Sequence, residues 1–464
     1  MKTFFCSVIG SVIGVAILSS SIANAQVWLK DRAASEGPGV KAGNFEVHPG
    51  IGSEVGYDTN WFLRSSSTDQ NALNGSGNGL PVLGLAALRI TPSLSLSTLS
   101  GDRMSGAAGA PPMFKFRATG AATYREFLSG EYGNQRNTSG AGSLDLQIAP
   151  SQPLNGTIGA GYLRSVNATA SGDPNLAFVR NDALFNGDIG YSPGGGTLEI
   201  RAGYRGRVSF FDNQESANQT ENTAVGRARW LFRPRNALFI DAAYGVLGYD
   251  KNTSDTRNLA PMRLKMGTSG LITPRIGILL AAGYGSSGVQ PGPGATPSDF
   301  ARFIGQGEIR YFLDAAALPD ASNADAASSN ALALGFLRDF SPSMLGSVMS
   351  LTRGYLRATY LWQGKVYSSI EGGVSSIGFN GLSFTSGESV GSVGAVRSAA
   401  FTNLRPDFTV FSEYRISNTI GINGTFKYAS NRGDVTLKQN LTQPGFVDLN
   451  WTRAEAYIGI RYSL

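Results

Sequence analysis

The stretch at residues 454–464 constrains the fold of this chain more than any other, because its side chains alternate without a break between two kinds. A period of two residues is typical of a β-strand with one apolar and one polar face. The pattern predicts a strand that stays in register to residue 464 and pairs with another element. The apolar parity holds Ala454, Ala456, Ile458, Ile460, Tyr462 and Leu464, and the other parity holds Glu455, Tyr457, Gly459, Arg461 and Ser463.

The same stretch resembles the last strand of bacterial outer-membrane β-barrels. That strand carries an assembly signal with a polar residue, a glycine and two aromatic residues at fixed spacing. Tyr457, Gly459 and Tyr462 fit this signal, while Leu464 stands where the final aromatic residue is usual. The resemblance implies an outer-membrane barrel that the barrel assembly machinery recognises.

The first 25 residues predict a secretory signal peptide. Lys2 supplies the positive start, residues 8–18 the apolar run, and a small-x-small site ends at Ala25. We therefore predict export through the Sec pathway and a mature chain that begins at Gln26. An uncleaved membrane anchor is the alternative, but glycine and serine dilute the apolar run.

Composition narrows the class of protein. The single cysteine, Cys6, lies in the predicted signal, so no disulfide or cysteine metal site is expected afterwards. The chain has 60 glycines, 10% aromatic and 16% charged residues, and no later segment reads as a membrane-spanning helix. The net charge of +6 is modest and does not favour a nucleic-acid partner.

Strand-like segments fill the rest of the chain. We predict a short periplasmic segment at 26–43, then at 44–464 an all-β, transmembrane, antiparallel up-and-down barrel of about 18 strands (16–20), with both termini periplasmic. The predicted strands are 44–63, 85–99, 113–127, 143–149, 154–166, 178–191, 197–211, 223–232, 237–249, 262–272, 276–286, 300–313, 331–340, 351–362, 366–379, 400–416, 419–428 and 447–464.

The connections between these strands alternate in length. Short ones such as 151–153 and 234–236 follow long ones such as 131–141, as in outer-membrane barrels with tight periplasmic turns. Two predicted periplasmic connections, 100–112 and 315–330, are longer than the tight turns that this rule predicts. A soluble sandwich, the alternative, gives no reason for the alternation.

Many of the predicted strands carry charge on the face opposite their apolar side chains. Charge is costly on the lipid face, so this face is expected to line the interior. An arginine-rich interior favours anions; alternatively, the arginines pair with interior acids such as Glu199, Glu308 and Glu455. The predicted lining residues are Arg201, Arg205, Arg207, Arg227, Arg229, Arg263, Lys265, Arg302, Arg310, Arg353, Arg357 and Arg461.

Aromatic residues collect near the ends of the predicted strands. We interpret them as the girdles that rest at the two membrane interfaces, against the alternative of ordinary β-propensity. They are Tyr57, Trp61, Phe62, Tyr124, Phe127, Tyr191, Phe210, Phe211, Trp230, Phe232, Tyr311, Phe312, Tyr360, Trp362, Trp451 and Tyr462.

Catalytic chemistry is not indicated. The single histidine, His48, has no nucleophile or acid partner visible in the sequence, so we predict a structural role. Metal-ligand spacings are lacking, and acidic turns such as 58–60 are typical turn sequences. We predict no enzyme, no cofactor and no metal.

The N-terminal part resembles a group of porin-like outer-membrane barrels of delta-proteobacterial type. The resemblance rests on residues 26–32, 36–39, 43–50 and 56–60. It implies an outer-membrane component of a multi-protein envelope complex for gliding motility or polysaccharide export. Its partners would be outer-membrane lipid and periplasmic or outer-membrane proteins.

The alternative function is a free-standing porin that passes small anionic solutes. The long predicted periplasmic segments favour the envelope complex over the porin. An energised transporter is less favoured, because no plug domain of useful size is seen before the barrel.

Overall fold

The structure is a computed structural model that describes most of the chain. It describes residues 39–65, 82–98, 113–130, 136–167, 178–193, 196–212, 215, 218–250, 258–290, 299–313, 330–343, 348–385, 396–433, 436–439, 445–448 and 450–464. The predicted signal peptide, residues 26–38 of the lead-in, and the predicted long connections at 100–112 and 315–329 lie outside these residues. Within them, no helix is long and apolar enough to cross a membrane.

Every regular element of the described residues is a β-strand. The strands are β1 (Val40–Ala42), β2 (Phe45–Asp58), β3 (Leu85–Thr98), β4 (Phe114–Phe127), β5 (Asn137–Ile148), β6 (Leu154–Asn167), β7 (Phe178–Tyr191), β8 (Leu198–Phe211), β9 (Gln219–Arg233), β10 (Asn236–Tyr249), β11 (Met262–Thr273), β12 (Ile276–Ser286), β13 (Ala301–Phe312), β14 (Ala331–Pro342), β15 (Val348–Trp362), β16 (Val366–Thr385), β17 (Val396–Arg415), β18 (Ile420–Asn431), β19 (Thr436–Gln439), β20 (Gly445–Asp448) and β21 (Trp451–Ser463).

Strands β2 to β18 pair in chain order, each antiparallel to the next, and β21 closes the ring. Ile458 of β21 is in register with Gly424 of β18 on one side and with Val55 of β2 on the other. The closed ring therefore contains β2 to β18 and β21, which confirms the predicted up-and-down barrel of 18 strands. Two short additions lie beside it, β1 on β2 and the β19–β20 hairpin.

The outside of the barrel is apolar around its circumference. Ile189, Met266, Leu334 and Ile458 lie on strands far apart in the ring, and each exposes at least 60% of its surface. A soluble protein rarely leaves so continuous an apolar surface in water. Alternating apolar-out and polar-in residues are the pattern of a barrel that spans a bilayer.

The aromatic girdle is only partly as predicted. Trp61, Phe62, Phe127 and Phe211 are buried inside the barrel, which corrects the prediction for these four. Phe127 and Phe211 have the inward parity of their strands, and the strand ends carry both parities. The predicted girdle residues that are exposed are Tyr57, Tyr124, Tyr191, Phe210, Trp230, Phe232, Tyr311, Trp362 and Tyr462.

The first barrel strand ends earlier than predicted. It stops at Asp58, and residues 59–65 turn inward instead of continuing to residue 63. Asn60 closes this turn: its side chain donates to the Arg64 carbonyl oxygen at 2.7 Å and accepts from the Arg64 amide at 2.9 Å. Leu63 takes a left-handed backbone with φ of 52°. Side chain to backbone bonds of this kind compete with sheet pairing.

Candidate functional site

The candidate site is the inner surface of the barrel. On β8 the exposed Ile200 and Tyr204 face outward, while Arg201 and Arg207 occupy the opposite parity. The same alternation turns all twelve predicted lining cations towards the interior. Strand geometry alone positions them, because successive side chains point to opposite faces of a sheet.

Most of the predicted cations on β8 and β9 have carboxylate partners. Arg227 binds both oxygens of Asp241 on β10, one of them at 2.7 Å. Arg201 contacts Asp188 and Glu199, and Glu199 also lies 3.9 Å from Arg229. Arg207 forms an ion pair with Glu221.

Most of the predicted cations on β11, β13, β15 and β21 are paired in the same way. Asp339 accepts from Arg263 at 3.0 Å and from Lys265 at 3.3 Å. Arg310 lies 2.7 Å from Glu308. Further ion pairs join Arg353 to Glu371 and Asp407, Arg357 to Glu371, and Arg461 to Glu413.

Two of the predicted cations differ from the rest. Arg205 and Arg302 are exposed towards the interior, and neither forms an ion pair within the part of the chain that the structure describes. The pairing expected as the alternative therefore applies to all the predicted cations except these two. A compensated guanidinium has little charge left for a solute, so these two carry most of the free positive charge among the twelve.

A second group of interior charges includes the predicted interior acid Glu455, but its other members were not predicted. Arg89 lies 3.0 Å from Glu455 and 4.0 Å from Glu54. Arg453 contacts Asp58 and lies 3.1 Å from Glu455. The alternation of Arg89 with the apolar Leu88 and Ile90 on β3 was a signal that could have identified it.

This group lies where β21 joins β2, and aromatic side chains cover it. The Arg89 guanidinium lies 3.4 Å from the centre of the Tyr457 ring, and Arg125 lies 4.3 Å from the centre of the Trp61 ring. We call Glu54, Asp58, Trp61, Phe62, Arg89, Arg125, Arg453, Glu455 and Tyr457 the seam cluster. Nearly all of its members are buried, so water reaches little of this side of the interior.

The inward turn at 59–65 completes the seam cluster. Trp61 and Phe62 pack against Leu85, Phe127 and Tyr457, all of which face the interior. Burial of two large aromatic side chains stabilises this position by several kcal/mol, at ~1.5–3 kcal/mol for each apolar side chain. The turn therefore fills part of the barrel interior, beside the junction of β21 with β2. No sequence signal distinguished these two rings from girdle residues.

The residues of the predicted assembly signal are all at the seam. Tyr457 is buried inside, Tyr462 is exposed outside, and the Leu464 amide donates to the Pro49 carbonyl oxygen at 3.0 Å. A Cβ on Gly459 would lie 2.4 Å from the Ser53 carbonyl oxygen, so only glycine fits between β2 and β18 here. Recognition by the assembly machinery stays a prediction.

His48 lies on the inward face of β2. Its Nε2 is 3.1 Å from Glu46 Oε1, near the end of β2 where β1 pairs. The described residues contain no group of three or more histidine, cysteine or acidic side chains that could hold a metal ion. The absence of enzymatic activity stays a prediction.

Comparison with known proteins gives only distant structural likeness. No protein-family model matches the chain, and no curated protein matches it. Among solved structures, it is similar to the siderophore receptor PirA from Pseudomonas aeruginosa, with 9% identity, 90% of this chain and 80% of that chain covered, and a TM-score of 0.41. The chain is also similar to the FrpB iron transporter from Neisseria meningitidis, with 7% sequence identity. The match covers 92% of this chain and 82% of that chain, with a TM-score of 0.45.

A third similar structure is the outer membrane protein opdK from Pseudomonas aeruginosa. The sequence identity is 10%, the match covers 90% of this chain and 99% of that chain, and the TM-score is 0.42. At these scores the likeness identifies neither a family nor a substrate for this chain.

Proposed function

We propose that the protein is an outer-membrane channel for the passive diffusion of small hydrophilic solutes. One observation carries the proposal: charged side chains on the inward faces of β8 to β16 remain partly exposed, although the barrel is closed. The side chain of Arg357 is 41% exposed and that of Arg310 is 38% exposed. Barrels of 16–18 strands are wide enough to leave an aqueous channel.

The energetics of the two surfaces also support this proposal. The apolar exterior favours lipid, and an outer-membrane location agrees with the strand pattern of such barrels. Inside, the ion pairs let charged residues line the channel without a large net charge, because each carboxylate offsets a guanidinium beside it. Such an interior would pass solutes of either sign, with a preference set by the uncompensated cations.

Single-channel recording in a planar bilayer tests the channel. We expect steady conductance steps from the purified, folded barrel in potassium chloride. Folding is verified by far-ultraviolet circular dichroism and by the slower gel migration on heating that marks an unfolded barrel. Silence from a folded barrel would reject the channel.

A second proposed role is that of an outer-membrane component in an envelope complex for gliding motility or polysaccharide export. One observation favours it. β1 pairs with Phe45–Val47 of β2, just beyond the point where β21 ends opposite Gly50. Among the described strands, β1 has β2 as its one partner, so its other edge can accept an extended segment of another protein.

Site-specific photo-crosslinking in intact cells tests this role. A crosslinker at Val40 is expected to yield a protein adduct, and Lys41→Pro is expected to abolish it, since proline removes an amide and disturbs the edge. A crosslinker at the lipid-facing Ile51 is the control. If both positions yield the same products, the edge of β1 has no specific partner.

A further inference from the structure

Tyr355 of β15 is an aromatic residue that faces the interior without being buried. Its neighbour Leu356 has the opposite parity and exposes 59% of its surface on the outside, so Tyr355 points inward. Other inward aromatic rings, such as Phe239, Phe379 and Phe411, are buried, whereas Tyr355 is half-buried. Tyr355 is the eighth of the fifteen residues of β15, so it lies about halfway along the interior.

The ring of Tyr355 lies flat along the wall of the barrel. Gly335 of β14 is its register partner, and a Cβ on Gly335 would overlap the ring. The Tyr355 hydroxyl reaches across β14 and donates to Glu308 Oε2 on β13 at 2.6 Å. Because one face of the ring rests on a glycine and the hydroxyl is hydrogen-bonded to the strand beyond, the other face is held towards the interior.

Charged side chains surround this ring. Arg353 and Arg357 lie on either side of it along β15, with their guanidinium carbons 5.9 and 5.6 Å from the ring centre. The adjacent inward row of register partners crosses β13 to β16 and consists of Arg310, Ala333, Arg357 and Glu371. The ring and these charges therefore share one patch of the wall. We define the tyrosine patch as Glu308, Arg310, Arg353, Tyr355, Arg357 and Glu371.

The charges in and beside the tyrosine patch compensate one another. Three guanidinium groups are paired with three carboxylates, in the ion pairs Arg310–Glu308, Arg353–Glu371, Arg353–Asp407 and Arg357–Glu371. The patch therefore selects no sign of charge. Its polar groups can still bind hydroxyl groups, because a guanidinium has several N–H donors and each carboxylate oxygen has more than one lone pair. The Arg357 side chain, for example, is 41% exposed although it is paired.

We propose that the tyrosine patch is a binding site for uncharged sugars. This inference rests on the proposed channel for its biological use and names a class of solute for it, but binding can be tested without conduction. The C–H groups on one face of a pyranose ring pack against the electron-rich face of an aromatic ring. The sugar hydroxyls project from the edge of that ring, where the paired guanidiniums and carboxylates supply donors and acceptors.

Titration calorimetry on the full barrel in detergent tests the site. The probes are maltotriose, cellotriose and raffinose, which are uncharged and differ in their linkages, and we expect saturable binding of at least one of them. Tyr355→Ser removes the stacking ring and should weaken that binding by at least about tenfold. Tyr355→Phe keeps the ring and loses one hydrogen bond, so it should weaken binding by only a few-fold.

The matched control is Tyr367→Ser, the same exchange in another inward tyrosine. The register partner of Tyr367 on β15 is Leu361, six residues beyond Tyr355, so sugar affinity is expected to stay within about twofold of the original protein. Circular dichroism confirms that each variant is folded. No binding of any of the three sugars, equal affinities for the original protein and Tyr355→Ser, or an equal loss in Tyr367→Ser would overturn the site.

Current recordings in potassium chloride separate the site from the channel. If both exist, the sugar that binds should reduce the current of the original protein, and Tyr355→Ser should relieve this block. Sugar binding by a barrel that carries no current would leave the site standing and reject the channel. A conducting barrel that binds none of the three sugars would reject the site and leave the channel standing.

Discussion

The seam cluster and the open wall use the same charged residues in opposite ways. By open wall we mean the inward faces of β8 to β10, β13, β15 and β16. In the seam cluster the Arg89 side chain is 2% exposed, whereas on the open wall that of Arg357 is 41% exposed. Both arginines are bound to glutamate. Pairing is therefore common to both regions, and the covering aromatic rings make the difference.

This contrast shows that the effect of an interior charge depends on whether its surroundings exclude water. In the seam cluster, Trp61 and Phe62 exclude water, so the charges stabilise the junction of β21 with β2 and meet no solute. On the open wall, pairs such as Arg357 with Glu371 and Arg310 with Glu308 stay partly exposed and contribute little to stability. We therefore expect variants of the seam cluster to affect stability, and variants of the open wall to affect transport.

The largest effect is expected when the two rings that cover the seam cluster are removed, because this cluster should then become accessible to water like the open wall. In the variant with Trp61→Ala and Phe62→Ala we expect the inward turn to leave the interior and single-channel conductance to rise. Each truncation removes up to ~3–5 kcal/mol of packing free energy. The lipid-facing Trp230→Ala is the control and should leave conductance unchanged. An unchanged conductance in the double variant would mean that the turn does not narrow the channel.

Exchange of one arginine in each region compares the two directly. Arg89→Gln should lower the free energy of unfolding by ~3–5 kcal/mol, because it removes a cation from a dry site that holds Glu455. Arg357→Gln should lower it by ~1 kcal/mol at most, since the pair is hydrated. Urea unfolding of barrels refolded into lipid vesicles measures both. Similar losses in the two variants would contradict the comparison.

A smaller effect is expected from two glycines, one where β21 joins β2 and one on the outward face of β9. Gly459→Ala should lower the free energy of unfolding by ~1–3 kcal/mol through overpacking, because its Cβ would lie 2.4 Å from the Ser53 carbonyl oxygen. Gly226→Ala on β9 has no heavy atom within 4 Å of the new Cβ and should change stability by ~0.5 kcal/mol or less. Urea unfolding in lipid vesicles measures the free energy of unfolding of both variants. Equal tolerance at both sites would show that the seam can adjust.

The smallest expected effect concerns backbone strain. Gln363 has a φ of 48° in the exposed turn between β15 and β16, and Gly364 follows with a φ of 70°. Gln363→Asn creates the Asn-Gly pair that such turns favour and should raise the unfolding free energy by ~0.5–1 kcal/mol. Lys365→Ala is the neutral control. A loss of stability would indicate a different turn geometry.

The alternation of side chains was enough to predict the barrel. Each of the 18 predicted strands overlaps a barrel strand of the structure, because a period of two residues reports the two faces of a sheet directly. The same parity turned Arg201, Arg227 and Arg353 towards the interior. The ends of the strands were predicted less accurately. Strand β5 begins at Asn137 rather than at residue 143, because small residues such as Gly140 and Gly142 do not show the alternation of apolar and polar side chains.

The pairing of interior charges could not be predicted. Arg89 and Glu455 are 366 residues apart in the chain, and they meet only because β21 closes on β2. Arg205 and Arg207 look equivalent in the sequence. In the structure Arg207 faces Glu221 across the sheet, while Arg205 faces Thr223. The register between neighbouring strands decides which cation is neutralised. This register cannot be read from the sequence of one strand alone.

The sequence by itself determined that the chain forms a barrel, that it has about 18 strands and which face of each strand points inward, because these follow from local alternation. Only the tertiary structure decided that residues 59–65 fold into the interior, that the seam cluster is buried, and that Arg205 has no ion pair among the described residues while Arg207 pairs with Glu221. These features depend on contacts between distant strands, where burial and register fix the free energy of each charge.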